Sequence, residues 1–252
     1  MSETPLVLRD DKDAVCTLTL NRPDKRNAVN RKLFREFRAH IRDIEENGTG
    51  IGVLIITGAG DHFCAGHDLK QAPHADALGW LRQEMLTLER LTRLSQPVIA
   101  KIQGSCYTGG LEFALSADFI VCGESARFAD THGKWGLVPG WGLSQRLPRR
   151  IGQAKALEMM LTCQAYSGTE AEAMGLANYC VADAALDAKV AELAALMLAN
   201  SRHSNAENKR LIYDTDGMTL GNGLSHELMR NAGFDPAMRQ KGKAIGDGGQ
   251  GG

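Results

Sequence analysis

Two glycine-containing turns in this chain carry residue types that could do chemistry: Phe63-Cys-Ala-Gly66-His67-Asp68-Leu69 and Gly104-Ser-Cys-Tyr-Thr-Gly109-Gly110-Leu-Glu112. Each follows a short apolar run that reads as a buried strand, and sites collect at such strand ends. In the second turn Gly109 and Gly110 open an apolar helix, so unpaired N–H groups and a positive helix end face whatever docks there. Glu112 falls in the first turn of that helix. By spacing alone it also fits a carboxylate that merely complements the helix dipole, and a lone His67 after Ala-Gly also fits a solvated loop residue.

Other chemistries lack their residues. Gly58-Ala-Gly60 follows a strand, but the dinucleotide fingerprint needs glycine or alanine at the place held by Phe63. The sequence contains no Walker A segment, no HExxH helix and no GxSxG elbow that would name a serine nucleophile. His62-x-Cys64-x-x-His67 offers three ligand types inside one loop with no fourth ligand in view, so no metal is expected. The cysteines at 16, 64, 106, 122, 163 and 180 form no CxxC pair, which argues for packed thiols rather than a zinc ribbon or a disulfide framework.

The elements that must position these turns alternate along the chain. Ala14–Leu20 reads as a half-buried strand, and after Asn30, a good N-cap, Leu33, Phe37, Ile41 and Ile44 recur at helical spacing until Asn47-Gly48. Gly52–Thr57 is short, branched and bounded by glycines, as a strand buried on both faces should be. A helix through Leu78, Leu81, Met85, Leu88 and Leu91 follows, then strands at Val98–Ile102 and Phe119–Cys122. From about Gln153 helix dominates, with a short strand at Asn178–Val181 and a helical pattern from Ala184 to Leu198. The last eleven residues include six glycines and are expected to be disordered.

A chain of 252 residues allows one elaborate α/β domain. Its net charge of −1 sets up no field toward nucleic acid or an anionic membrane, so an anionic ligand would need local groups. The N-terminal residues lack the basic start and apolar run of a signal peptide, and no apolar run nears the roughly 18 residues of a membrane span. The expected location is cytoplasmic.

The ordered blocks Asn21-Arg22-Pro23-x-x-Arg26-Asn27-Ala28, Phe63-Cys64-Ala65-Gly66-x-Asp68-Leu69, Pro97-Val98-Ile99-Ala100, Gly109-Gly110-Leu111-Glu112 and Ala117-Asp118 together resemble the crotonase (enoyl-CoA hydratase/isomerase) superfamily. Pro139-Gly140-Trp141-Gly142 and Ala171-x-x-Met174-Gly175-Leu176 continue the match. The resemblance implies an α/β fold: a crotonase-like spiral of ββα turns over residues 1–195, a helical C-terminal trimerisation region at 196–241, and the glycine-rich tail at 242–252. It implies a homotrimer or hexamer acting on an acyl-CoA thioester, with coenzyme A part of the substrate and no separate cofactor. Carried over by position, the backbone N–H groups of His67 and Gly109 form an oxyanion hole for the thioester carbonyl. Lys25 and Arg26, beside Ala28, become candidates for coenzyme A phosphate contact. Ala65, Asp68, Leu69, Trp135, Leu137 and Trp141 fall at substrate-binding places, although a core role suits both tryptophans equally well.

Hydration of a 2-enoyl thioester adds water at C3 and a proton at C2, work that two glutamates share in the family's hydratases. Glu112 aligns with the first, but the second place, twenty residues on, holds His132. A hydratase using Glu112 and His132 is the leading expectation. A decarboxylase of malonyl-type thioesters and a non-catalytic acyl-CoA-binding protein are the alternatives. Asp130 is a possible substitute carboxylate, because alternation along an extended segment lets it point the same way as His132.

Overall fold

The structure, a computed structural model, describes residues 4–71 and 77–235. The chain opens with a hairpin. Strand β1 (Val7–Lys12) runs antiparallel to β2 (Val15–Leu20) through a tight turn in which Asp13 and Ala14 both take positive φ. Sequence reading found β2 but not β1, because β1 is mostly polar and exposed and shows no apolar alternation. Helix α1 (Arg31–Asn47) begins where the Asn30 side chain accepts the Leu33 N–H, as expected, and buries Leu33, Phe34, Phe37, Ile41 and Ile44.

The strands β3 (Val53–Gly58), β4 (Val98–Ile102), β6 (Phe119–Gly123) and β9 (Tyr179–Val181) extend the hairpin into one sheet, ordered β1-β2-β3-β4-β6-β9 and parallel from β2 onward. A second sheet joins β5 (Ser105–Tyr107), β7 (Arg127–Ala129) and the short β8 (Tyr166–Ser167). Consecutive strands β4 and β5, then β6 and β7, place one strand in each sheet, with α2 (Ala77–Arg93) leading into β4 and α3 (Gly109–Ala114) closing that turn. This is the expected spiral. β3 is buried along its whole length for a simple reason: Leu54 and Ile56 enter the main core, while Val53 and Ile55 face α7 (Leu186–Ala199) through Val190, Leu193 and Ala194.

In chain order α4 (Leu143–Ile151), α5 (Gln153–Thr162) and α6 (Gly168–Ala173) precede α7, and α8 (Arg202–Asp214) and α9 (Leu220–Met229) follow it. Residues 195 and 196 both fall inside α7, which runs on to Ala199, and Ser201 then caps α8. The α8 helix is pinned to the core by Asp118, which accepts from Lys209 Nζ at 2.7 Å and from the Tyr213 hydroxyl at 2.9 Å. The tail at 242–252 lies outside the described residues. Among the described residues no helix is long and apolar enough to cross a membrane.

Candidate active site

The first turn reaches its place by pairing with the loop before α1. Val29 donates to the Gly66 carbonyl and accepts from Asp68 N–H, both at 2.8 Å, so the residue between them, His67, keeps its own N–H turned away from that pairing. The second turn packs against the first. A Cβ added at Gly66, whose φ is 100°, would sit 3.0 Å from the Tyr107 carbonyl, and one added at Gly109 would sit 3.3 Å from the His67 nitrogen. Only glycine lets the two backbones approach this closely. Neither the His67 nor the Gly109 N–H donates to a protein acceptor among the described residues.

Thr108 sets the direction of the second turn. It holds φ 53° and ψ −110°, a conformation that costs a β-branched residue on the order of 1–3 kcal/mol. Three bonds offset that strain: its N–H donates to the Ala129 carbonyl at 2.8 Å, and its hydroxyl accepts the Thr131 N–H at 3.1 Å and shares a 2.5 Å bond with the Thr131 hydroxyl. Thr108 and Thr131 were missed as site residues because neither type marks chemistry by itself.

Glu112 is 2% exposed. Its Oε1 accepts the N–H groups of Trp141 at 2.8 Å and Leu143 at 3.1 Å, which leaves Oε2 turned toward His132 Nε2, 4.0 Å away. Burial raises its pKa above the ordinary carboxylate range, against the lowering effect of His132 and the two backbone donors. His132, 8% exposed, has Nδ1 at 2.6 Å from Asp130 Oδ1, and the same oxygen accepts its backbone N–H at 3.1 Å. With a carboxylate on Nδ1, that nitrogen carries the proton and exchange is left to Nε2. The row Asp130–His132–Glu112 therefore ends at the cavity.

That cavity, about 310 Å³, is lined by nine of the residues picked from sequence: Ala65, His67, Leu69, Gly109, Glu112, His132, Trp135, Leu137 and Trp141. Trp80, Leu81, Thr108, Thr131, Val138 and Gly140 complete its lining. Leu81 belongs to the helical stripe of α2 read from the sequence and Trp80 stands outside it, and nothing in that pattern separates a cavity wall from a packed one. Among the described residues the wall contains no lysine or arginine. His67 packs edge-on against Trp80, ring centroids 4.9 Å apart, and is tilted against Trp141 at 5.7 Å. Its burial lowers the imidazole pKa, favouring the neutral ring. Trp141 lines the cavity and is also core, 2% exposed beside Phe34 and Phe113, while Trp135 is 62% exposed at the mouth.

Four sequence candidates stand outside the cavity lining. Lys25 and Arg26 are exposed on the loop that docks on the first turn, where the Arg26 carbonyl accepts the Ala65 N–H at 2.9 Å. Ala28 accepts from Arg22 through its carbonyl, and Asp68 pairs with the same guanidinium at 3.0 Å, so Arg22 ties this loop to the first turn. His62 and Cys64 serve the backbone as well: His62 Nδ1 accepts the Ser105 N–H at 3.1 Å, and the buried Cys64 thiol donates to the Asn27 carbonyl at 3.3 Å.

The sequence pattern that defines the enoyl-CoA hydratase/isomerase family matches residues 10–242. The chain belongs to that family. Among its relatives is the probable peroxisomal enoyl-CoA hydratase 1 of Arabidopsis thaliana, 30% identical over 96% of this chain and 91% of the plant protein. The crystal structure of an enoyl-CoA hydratase from Bacillus anthracis is 32% identical, covers 89% of this chain and 88% of the other, and superposes with a TM-score of 0.85. A putative enoyl-CoA hydratase from Thermobifida fusca, solved in complex with acetoacetyl-CoA, is 26% identical over 89% of this chain and 92% of its own, with a TM-score of 0.82. The relatives of this enoyl-CoA hydratase/isomerase member thus carry the names of lyases of the crotonase superfamily, on the spiral fold that the sequence implied.

Proposed function

We propose that this chain hydrates a 2-enoyl-CoA thioester. The observation that carries the reading is the opposition, across one apolar cavity, of two unpaired backbone N–H groups and the pair Glu112 and His132. A thioester carbonyl between His67 N–H and Gly109 N–H gains hydrogen bonds as charge moves onto its oxygen, and such donors are typically worth roughly 3–4 kcal/mol each in the transition state. The 4.0 Å gap between Glu112 Oε2 and His132 Nε2 lets one water touch both. The water oxygen adds to C3 and its proton passes to the Glu112 carboxylate. The enolate then takes a proton at C2 from the Nε2–H of His132, a step that uses the ring as the imidazolium with both nitrogens protonated, and the proton on Glu112 returns to Nε2 to restore it. Atoms and charge balance over the cycle.

The cavity favours this over decarboxylation of a malonyl-type thioester, because among the described residues its lining offers the substrate's extra carboxylate no lysine or arginine. Enolate formation by this route uses hydrogen-bond donors and a proton carrier, with no metal or nicotinamide. Lys25 and Arg26, exposed beside the first turn, are proposed to meet the phosphates of coenzyme A.

Calorimetry with acetyl-CoA is expected to show binding that survives chelator, and mass spectrometry of crotonyl-CoA after incubation should show the gain of one water. Binding of NADH and of no CoA ester would overturn the reading. Loss of CO2 from methylmalonyl-CoA without hydration of any enoyl-CoA would replace it with the decarboxylase.

The same reading proposes a trimer or hexamer. Leu220, Leu224 and Leu228 recur at a spacing of four along α9, all exposed, and Leu157 and Leu161 do so on α5, which is more apolar surface than a free helix should present to water. Light scattering at micromolar concentration should give a closed oligomer, and a stable monomer would count against it.

A further inference from the structure

Glu84 is a buried acid that the proposed reaction leaves unused. It lies on α2 one helical turn beyond Trp80 and Leu81, is 1% exposed, and accepts the indole N–H of Trp141 through Oε2 at 2.9 Å. Among the described residues its Oε1 has no hydrogen-bond partner. A leucine would fill the same place with no unpaired oxygen, so what the carboxyl adds to packing is a directional acceptor for one indole. Burial pushes its pKa up to about 8, so at neutral pH the group is mostly the uncharged acid and puts little charge behind the cavity wall.

Trp141 occupies a place where a small displacement matters. A Cβ added at Gly109 would fall 2.6 Å from its Cζ3, so the indole lies directly on the glycine whose N–H is half of the proposed oxyanion hole. Behind it stand Phe34 and Phe113, 5.5 and 5.7 Å away between ring centroids. The ring is thus the partition between the cavity and the aromatic core. Its backbone is held from one side by Glu112, through the Trp141 N–H, and its ring from the other by Glu84.

We infer that Trp141 is the inner wall that limits how far an acyl chain extends past the reacting carbons, and that Glu84 is the positioning residue that fixes this wall. Resting on the acyl-CoA reading above, this makes short acyl groups the ligands that fit the site inward of C3. Removing the indole joins the cavity to the space it fills. Removing its acceptor leaves the ring in place but free to tilt, which opens part of the same space.

The test is calorimetric binding of butyryl-, hexanoyl-, octanoyl- and decanoyl-CoA, which needs no turnover, with thermal melting of each variant alongside. The unaltered protein should bind butyryl-CoA at least about tenfold more tightly than decanoyl-CoA. Trp141→Ala should reduce or invert that ratio. Glu84→Leu should move it in the same direction by less, and Glu84→Gln, which keeps an acceptor for the indole N–H, should return it to the original value. Trp141→Phe, which keeps an aromatic ring and loses the donor, repeats the Glu84→Leu result should that variant fail to fold. A ratio that stays the same in Trp141→Ala, or that shifts as far in Glu84→Gln as in Glu84→Leu, overturns the inference and leaves the acyl-CoA reading standing. Failure of the unaltered protein to bind any CoA ester overturns both.

Discussion

Glu112→Gln is expected to lower turnover of crotonyl-CoA at least about a hundredfold, the usual worth of a general acid–base group, with CoA-ester affinity changed by no more than about twofold. The glutamine oxygen can accept the Trp141 and Leu143 N–H groups as Oε1 does now, so the loop that carries Trp141 keeps its anchor. What disappears is the proton acceptor facing His132. Because burial raises the Glu112 pKa, the base form is lost at a higher pH than for an exposed glutamate, and turnover of the unaltered protein should fall as pH drops through that raised value. The glutamine variant should lack this acidic limb. Steady-state rates across pH, with acetyl-CoA titration in parallel, read both parts. Unchanged turnover in the variant would remove Glu112 from the proton transfers.

The two glycine turns were legible in the sequence because glycines at fixed offsets after apolar runs leave few conformations, and the packing of Gly66 on Gly109 shows why those positions disfavour a side chain. The α1 helix was legible from its cap and period together. Strand β1 was not, since its pairing with β2 depends on backbone bonds and a left-handed Asp13-Ala14 turn rather than on apolar alternation. Nor was the use of Trp80, Leu81 and Glu84. These share one face of α2, and whether that face meets core or cavity is decided by the approach of Trp141 from a loop more than fifty residues away. Lys25, Arg26, Ala28 and Asp68 illustrate the reverse. Their motif puts Asp68 in the first turn and the others on the loop that docks on it, but Asp68 turns to Arg22 rather than to the cavity, a pairing that only the folded loop reveals.

His132→Ala is expected to cost turnover at least about a hundredfold while CoA affinity and assembly persist, because it removes the proton carrier that faces Glu112 in the cavity wall. Asp130→Asn should cost less, about tenfold, since an amide oxygen can still take the Nδ1 proton but no longer offsets charge on the ring. The order of these losses distinguishes a row from a lone base. If Asp130 itself were the substitute carboxylate, Asp130→Asn would match His132→Ala or exceed it. The geometry also changes what His132→Glu should do. A glutamate there would restore the family's second acid, but it would stand beside Asp130, now 2.6 Å from the imidazole, and near Glu112, three buried carboxylates with no cation among them. Like charges at such distances force one group to stay protonated or the loop to shift. His132→Glu alone is therefore expected to remain slow, and the pair Asp130→Asn with His132→Glu to recover hydration of crotonyl-CoA. Recovery by His132→Glu alone, or near-normal rates in His132→Ala, would show that Asp130 and His132 do not act together on the reacting carbons.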